Sequence, residues 1–155
     1  MFKTLEKIRD LLKAEIGGKV KAYFIDDPNL IPMDMLPCIA VAPVSTSINI
    51  ADTARDQFTY TIDVFLIIDA TKELQKFKGE IVGTQYLTEL MEGRDSNGNL
   101  KEGTILYILR NNLTLGTNWF INNVGSVEYG LRVRPEQGIS KEASCRLSVT
   151  RITNR

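Results

Sequence analysis

The sequence predicts an α/β (α+β) domain with a mixed, mainly antiparallel central sheet flanked by helices, in the order α-β-β-β-α-α-β-β. Three observations carry this. Apolar residues recur at three- and four-residue spacing over 2–16, and they alternate with polar ones over 57–68. Several strand-like segments also follow one another with no helix between them, which favours antiparallel pairing. A chain of 155 residues is the usual size of one domain, so residues 1–155 are read as a single unit. With 43% hydrophobic and 25% charged residues, it can bury a core without being a coiled coil or disordered.

The first element is an amphipathic helix over 2–16. Phe2, Leu5, Ile8, Leu12 and Ile16 form its stripe, and Gly17-Gly18 stops it. A short strand follows over 20–25, and then Asp26-Asp27-Pro28-Asn29 makes a turn. Prolines at 37 and 43 bound a short apolar strand, Cys38 to Ala42, buried on both faces or lying at an edge. Ser45 to Arg55 is polar and reads as a long loop or an extended hairpin arm. A connection of that length in a compact domain is often functional.

In the strand over 57–68, Phe58, Tyr60, Ile62, Val64, Leu66 and Ile68 take one face. Its polar start is expected to project beyond the sheet. Asp69 or Thr71 can cap a long helix over 71–92, whose stripe begins Leu74, Phe77, Ile81 and continues Val82, Tyr86, Leu90. Gly79 and Gly83 sit four apart in it and would allow close packing, at a cost in propensity. A second helix is expected over 101–112, although its Ile-Leu-Tyr-Ile-Leu run could equally be a buried strand. Strands over 119–129 and 143–153 close the chain. Gly130 to Ser140, with its Pro and Gly, reads as a loop between them.

Side-chain chemistry is sparse. There is no histidine, which removes the commonest general base, metal ligand and partner of a nucleophilic Ser or Cys. The two cysteines alone cannot complete a structural zinc site, and they read as small buried hydrophobes. No phosphate-binding loop, dinucleotide fingerprint or nucleophile elbow occurs. Asp95-Ser96-Asn97-Gly98-Asn99 has the composition of a calcium loop, but its glycine comes too early, so it reads as a polar turn. Asp26, Asp27 and Asp34 could gather a cation, yet acids beside Pro and Asn are ordinary turn chemistry. No catalytic residue, cofactor or metal is expected. With no run of about 18 apolar residues, neither is a membrane span. The charged N-terminus lacks the apolar region of a signal peptide, so the expected compartment is a cytoplasm.

Net charge is zero, from 19 basic and 19 acidic residues, which argues against a general nucleic-acid binder. The distribution is uneven. Residues 26–69 hold seven acids and one base, and residues 132–155 hold six bases and two acids. The segments are either two solvated surfaces that differ in sign or the complementary flanks of a subunit that contacts its own copies head to tail. On the second reading the candidate interface residues are Asp52, Arg55 and Asp56 in one segment, and Arg132, Arg134 and Glu136 in the other.

The order of elements resembles the tail-terminator proteins of long-tailed bacteriophages, also called tail-completion or head–tail joining proteins. The matching parts are the N-terminal helix ending at Gly17-Gly18, the strand between Pro37 and Pro43, and the strand from Phe58 to Ile68 that ends in Asp69 and leads into a helix. The late short helix and two strands complete the match over nearly the whole chain. The resemblance implies a virion protein that forms a ring, commonly a hexamer, on the head-proximal end of the tail tube. Such a ring stops polymerisation of the tube protein and offers a surface to the head–tail connector. DNA passes through its lumen without specific binding, and no catalysis or cofactor is involved. A neck or head-completion protein and a minor tail protein share this organisation. A small cytoplasmic enzyme using carboxylates, or a monomeric adaptor, is the alternative from another class.

Overall fold

A computed structural model describes residues 1–71 and 82–154. Helix α1 spans Phe2–Ile16 and buries Leu5, Ile8, Leu12 and Ile16, as the stripe requires. Gly17 ends it at φ 60°, a left-handed conformation that glycine adopts without strain. Phe2, though on the stripe, is exposed and opens onto a groove with Ile25, Ala42 and Val44.

Strand β1, Ala22–Phe24, is shorter than expected and pairs in parallel with the start of β2. Parallel neighbours need a crossover of about a dozen residues. Here the segment 25–37 supplies it with two single 3₁₀ turns, Pro28–Leu30 and Met33–Met35. The Asp27 carboxylate caps the first turn by accepting from the Asn29 N–H at 2.8 Å.

Strand β2 is Cys38–Ile50 and β3 is Arg55–Asp69. The expected end at Pro43 is corrected, because β2 runs through it. A proline is tolerated on an edge strand and at a bulge. Both conditions hold: β1 stops opposite Ala40, and the β2–β3 register shifts between Pro43 and Ser45. Ser45 to Arg55 is therefore an extended hairpin arm.

Helix α2 is described over Val82–Glu92, with Leu87, Leu90 and Met91 buried. Leu74, Phe77, Gly79 and Ile81 lie outside the described residues. Before them, the Asp69 carboxylate accepts from the Thr71 N–H at 2.8 Å. The ambiguous run is helix α3, Ile105–Asn111. Thr104 caps it, and Ile105, Leu106, Ile108 and Leu109 all point inward, a spacing that only a helix satisfies.

Strands β4, Trp119–Arg134, and β5, Gly138–Asn154, form one long hairpin. The loop expected over 130–140 shrinks to 135–137, with Glu136 at φ 63° and Gly138 at φ 122° carrying the reversal. The sheet order is β1-β2-β3-β5-β4, antiparallel except for β1–β2.

The three described helices cover one face of this sheet. Ile39 and Val41 of β2, Tyr60 to Ile68 on alternate positions of β3, and Ala143, Cys145, Leu147 and Val149 of β5 share one core with α1, α2 and α3. On the other face the crossover packs Ile31 and Leu36 against Cys38, Ala40 and Ile67. The rest of that face is largely polar, with Phe120 and Ile152 as apolar residues toward one end. One row across it reads Ser45, Thr61, Ser148, Asn123.

Candidate subunit interface

The six residues predicted for an interface fall into two groups at opposite ends of the sheet. The β3–β5 ladder between those ends, from Arg55 to Asp69, is on the order of 45 Å long at 3.3 Å per residue. Asp52, Arg55 and Asp56 sit at the arm tip. The tip closes through Ala51 N–H donating to the Arg55 carbonyl at 3.0 Å. The Arg55 guanidinium donates to the Asp52 carboxylate at 2.6 Å, which holds that carboxyl below its usual range.

The second group is placed differently from its expected role. Arg134 is buried, with 6% of its surface exposed. Its guanidinium donates to the carbonyls of Pro28, at 2.8 Å, and Ile31, and to the Ser140 hydroxyl at 3.3 Å. It clamps the crossover to the β4–β5 hairpin and is not part of an exposed flank. Arg132 forks onto Glu142 at 3.1 and 2.9 Å and also donates to Asn29. Glu136 sits exposed in the hairpin turn.

The picture of one acidic and one basic side is corrected as well. The acidic segment supplies β3 and the basic segment supplies β5, and these are neighbouring strands. Asp63 stands opposite Arg146 and receives two hydrogen bonds from it, at 2.8 and 2.9 Å. Arg151 lies over the Trp119 ring at 4.4 Å, a cation–π contact, with Lys7 also over that ring at 4.8 Å. The two segments thus lie side by side in the sheet, with Asp63 and Arg146 matched across them, and are not two opposite flanks.

Apolar exposure is the signal that charge counting missed. In the arm, Val44 is 46%, Ile48 62% and Ile50 74% exposed. At the other end, Leu131 is 67% and Val133 74% exposed. Isolated exposed apolar residues are ordinary, but pairs at alternate positions of an edge strand are not. The period-two pattern of Ile48 and Ile50, and of Leu131 and Val133, was readable in the sequence.

Among the described residues, no group of three His, Cys, Asp or Glu side chains could hold a metal ion. Asp95 accepts from the backbone N–H groups of Asn97 and Asn99, so its segment is a polar turn that lowers the Asp95 pKa. Asp26 and Asp27 likewise bond to backbone N–H groups, those of Asp27 and Asn29. An open groove of about 650 Å³ runs past them, between Phe2, Pro43, Val44, Phe65 and Arg132.

Cys38 and Cys145 are buried and unbonded to each other, and burial pushes both thiols up to about 12. Reactivity needs the thiolate, so both are inert near neutrality. A stability consequence follows. Below pH 9 both thiols are protonated in the folded and unfolded chain, and the stability tied to them is fully present. Between about 9 and 12 only the unfolded chain ionises, so stability falls with rising pH. Each thiol contributes about 1.4 kcal/mol per pH unit in that window. Urea denaturation at pH 8 to about 10.5 should show a shallower decline for a Cys38→Ala/Cys145→Ala variant than for the parent chain. Parallel declines would refute it.

No protein-family model matches the chain, and no curated protein matches it in sequence.

Proposed function

We propose that this chain is the subunit of a structural ring that caps the tail tube of a long-tailed bacteriophage. The ring ends polymerisation of the tube protein, offers the docking surface for the head–tail connector, and passes DNA through its lumen. The observation that carries the reading is the arm. Strands β2 and β3 run together from the core to an exposed tip, and eight consecutive residues of β2, Pro43 to Ile50, are exposed there. An arm of this kind has little to do in a monomer and suits a subunit that must reach its neighbours. The order of elements, from the Gly-terminated helix to the late hairpin, supports the same reading.

The polar face of the sheet suits a lumen. Its Ser45–Thr61–Ser148–Asn123 row carries no charge, and the nearby Arg146 is matched by Asp63. A strongly basic wall would bind phosphates and slow passage. The test is removal of the protein from an assembling phage. Overlong tails without heads are the expected result. Tails of normal length beside unattached heads would place the protein in the neck instead and overturn the terminator reading.

A further inference from the structure

Among the described residues, the sheet leaves two edges open along much of their length. On one side, β1 pairs with β2 only over Cys38–Ala40, so β2 is an edge strand from Ala42 to Ile50. On the other, β4 is covered at its start, where Leu115 N–H donates to the Trp119 carbonyl and Ile121 N–H to that of Leu113. From 122 to 134, no described strand lies on its outer side. Natural edge strands are usually guarded by charge, because unpaired N–H and C=O groups recruit another strand. No charged residue occurs between Cys38 and Ile50.

The exposed apolar pairs lie on these two edges and on the same face. Ile48 stands opposite Phe58, two residues from Tyr60 on the helix-covered face. Leu131 and Val133 stand opposite Lys141 and Ile139, which share the face of Ala143 by alternation. β2 and β4 run in opposite directions, since three antiparallel pairings separate them.

We propose that copies of this chain join head to tail by strand addition, the β2 edge of one copy pairing antiparallel with the β4 edge of the next, so that Ile48 and Ile50 cover Val133 and Leu131. A sheet continued this way keeps one face throughout and covers all four residues. A two-fold pairing of β2 with β2 would leave Leu131 and Val133 in water. The contact is heterologous, the type that closes into rings or runs on as filaments. Its closure into a ring rests on the function proposed above, whereas the contact itself does not. The rows of Ile50 and Leu131, which pair in this contact, are twelve residues apart along β3, from Asp56 to Ile68. Successive copies are therefore displaced along the strands by about 40 Å, and strands in a closed ring run inclined to its axis.

The test is disulfide trapping in the full chain at millimolar concentration under mild oxidation. The buried Cys38 and Cys145 stay silent. The double variants Ile48→Cys/Val133→Cys and Ile50→Cys/Leu131→Cys are expected to give a ladder of dimers, trimers and larger species. Each single variant should remain monomeric, and adding Asn49→Lys, which sets a second cation opposite Arg132, to a double variant should abolish most of the ladder. Cross-linking of the Ile48→Cys single variant to itself would show two-fold pairing and overturn the proposal, as would absence of any ladder. Rings in negative stain without the cross-link would sink the contact and spare the ring reading. A ladder from a protein whose loss leaves tail length normal would do the reverse.

Discussion

Leu66→Ala is expected to lower the free energy of unfolding by about 3–4 kcal/mol, the usual loss for a leucine deleted from a site that cannot collapse. Leu66 is wholly buried in the central strand β3, in a row with Ile39 and Ala143 that is also closed to water. Both flanks of β3 are hydrogen-bonded, to β2 on one side and β5 on the other, so the backbone cannot move inward to fill the space. Removing the side chain therefore forfeits its transfer energy and leaves a cavity. Urea denaturation should show a lower midpoint with an unchanged slope. The arm provides the contrast. Ile48→Ala removes a side chain that is already mostly in water, so monomer stability should change by less than about 0.5 kcal/mol. A loss below about 1 kcal/mol for Leu66→Ala would mean that this row is not the packed centre of the fold.

The Leu66 row was legible because β3 alternates for a dozen residues, and only one face of such a strand can enter a core. Helix α1 was legible for the same kind of reason, with Gly17 marking its end. Where apolar residues thinned out, the reading weakened. Ser45 to Ile50 carries two isoleucines among hydroxyls and an amide, which is too little contrast to separate strand from loop. The segment 130–140 was misread in the opposite sense. Gly130, Pro135 and Gly138 look like a long loop, but only the residues at the reversal need turn chemistry. Leu131, Val133 and Ile139 keep the strand period on either side of it.

The candidate interface was legible only in part, because sequence gives charge by position and a sheet pairs charge across strands. Asp63 and Arg146 are 83 residues apart in the chain and meet in the register of β3 with β5. The two segments of opposite sign contribute the adjacent strands β3 and β5, so they cannot form two opposite flanks. The arm tip survives as an exposed site because Asp52 and Arg55 satisfy each other locally.

Arg134 shows the same limit most sharply, and its replacement carries the second large expectation. Arg134→Met should cost about 1–3 kcal/mol, although the methionine fills similar apolar space. The guanidinium is the group that reaches the Pro28 and Ile31 carbonyls, more than a hundred residues away in sequence. Leaving a buried acceptor without its donor costs about 1–3 kcal/mol; the Ile31 carbonyl is left so, whereas the Pro28 carbonyl keeps the Ile31 amide and loses its stronger donor. Arg134→Lys should recover only part of the loss, because an ammonium lacks the planar fork that serves both acceptors and Ser140 together. A purely global loss of stability would not identify the clamp, so a local readout is needed. The amide of Leu30 bonds to the Asp27 carbonyl, and that of Ile31 to the Pro28 carbonyl, inside the turn that Arg134 holds. Hydrogen exchange at those two amides should accelerate in Arg134→Met well beyond the amides of β3. If exchange rises equally everywhere, Arg134 stabilises the fold as a whole and the crossover is held by its own packing of Ile31 and Leu36. If neither stability nor exchange changes, the buried guanidinium is not holding the crossover, and Arg134 returns to the pool of residues available for contact with another subunit.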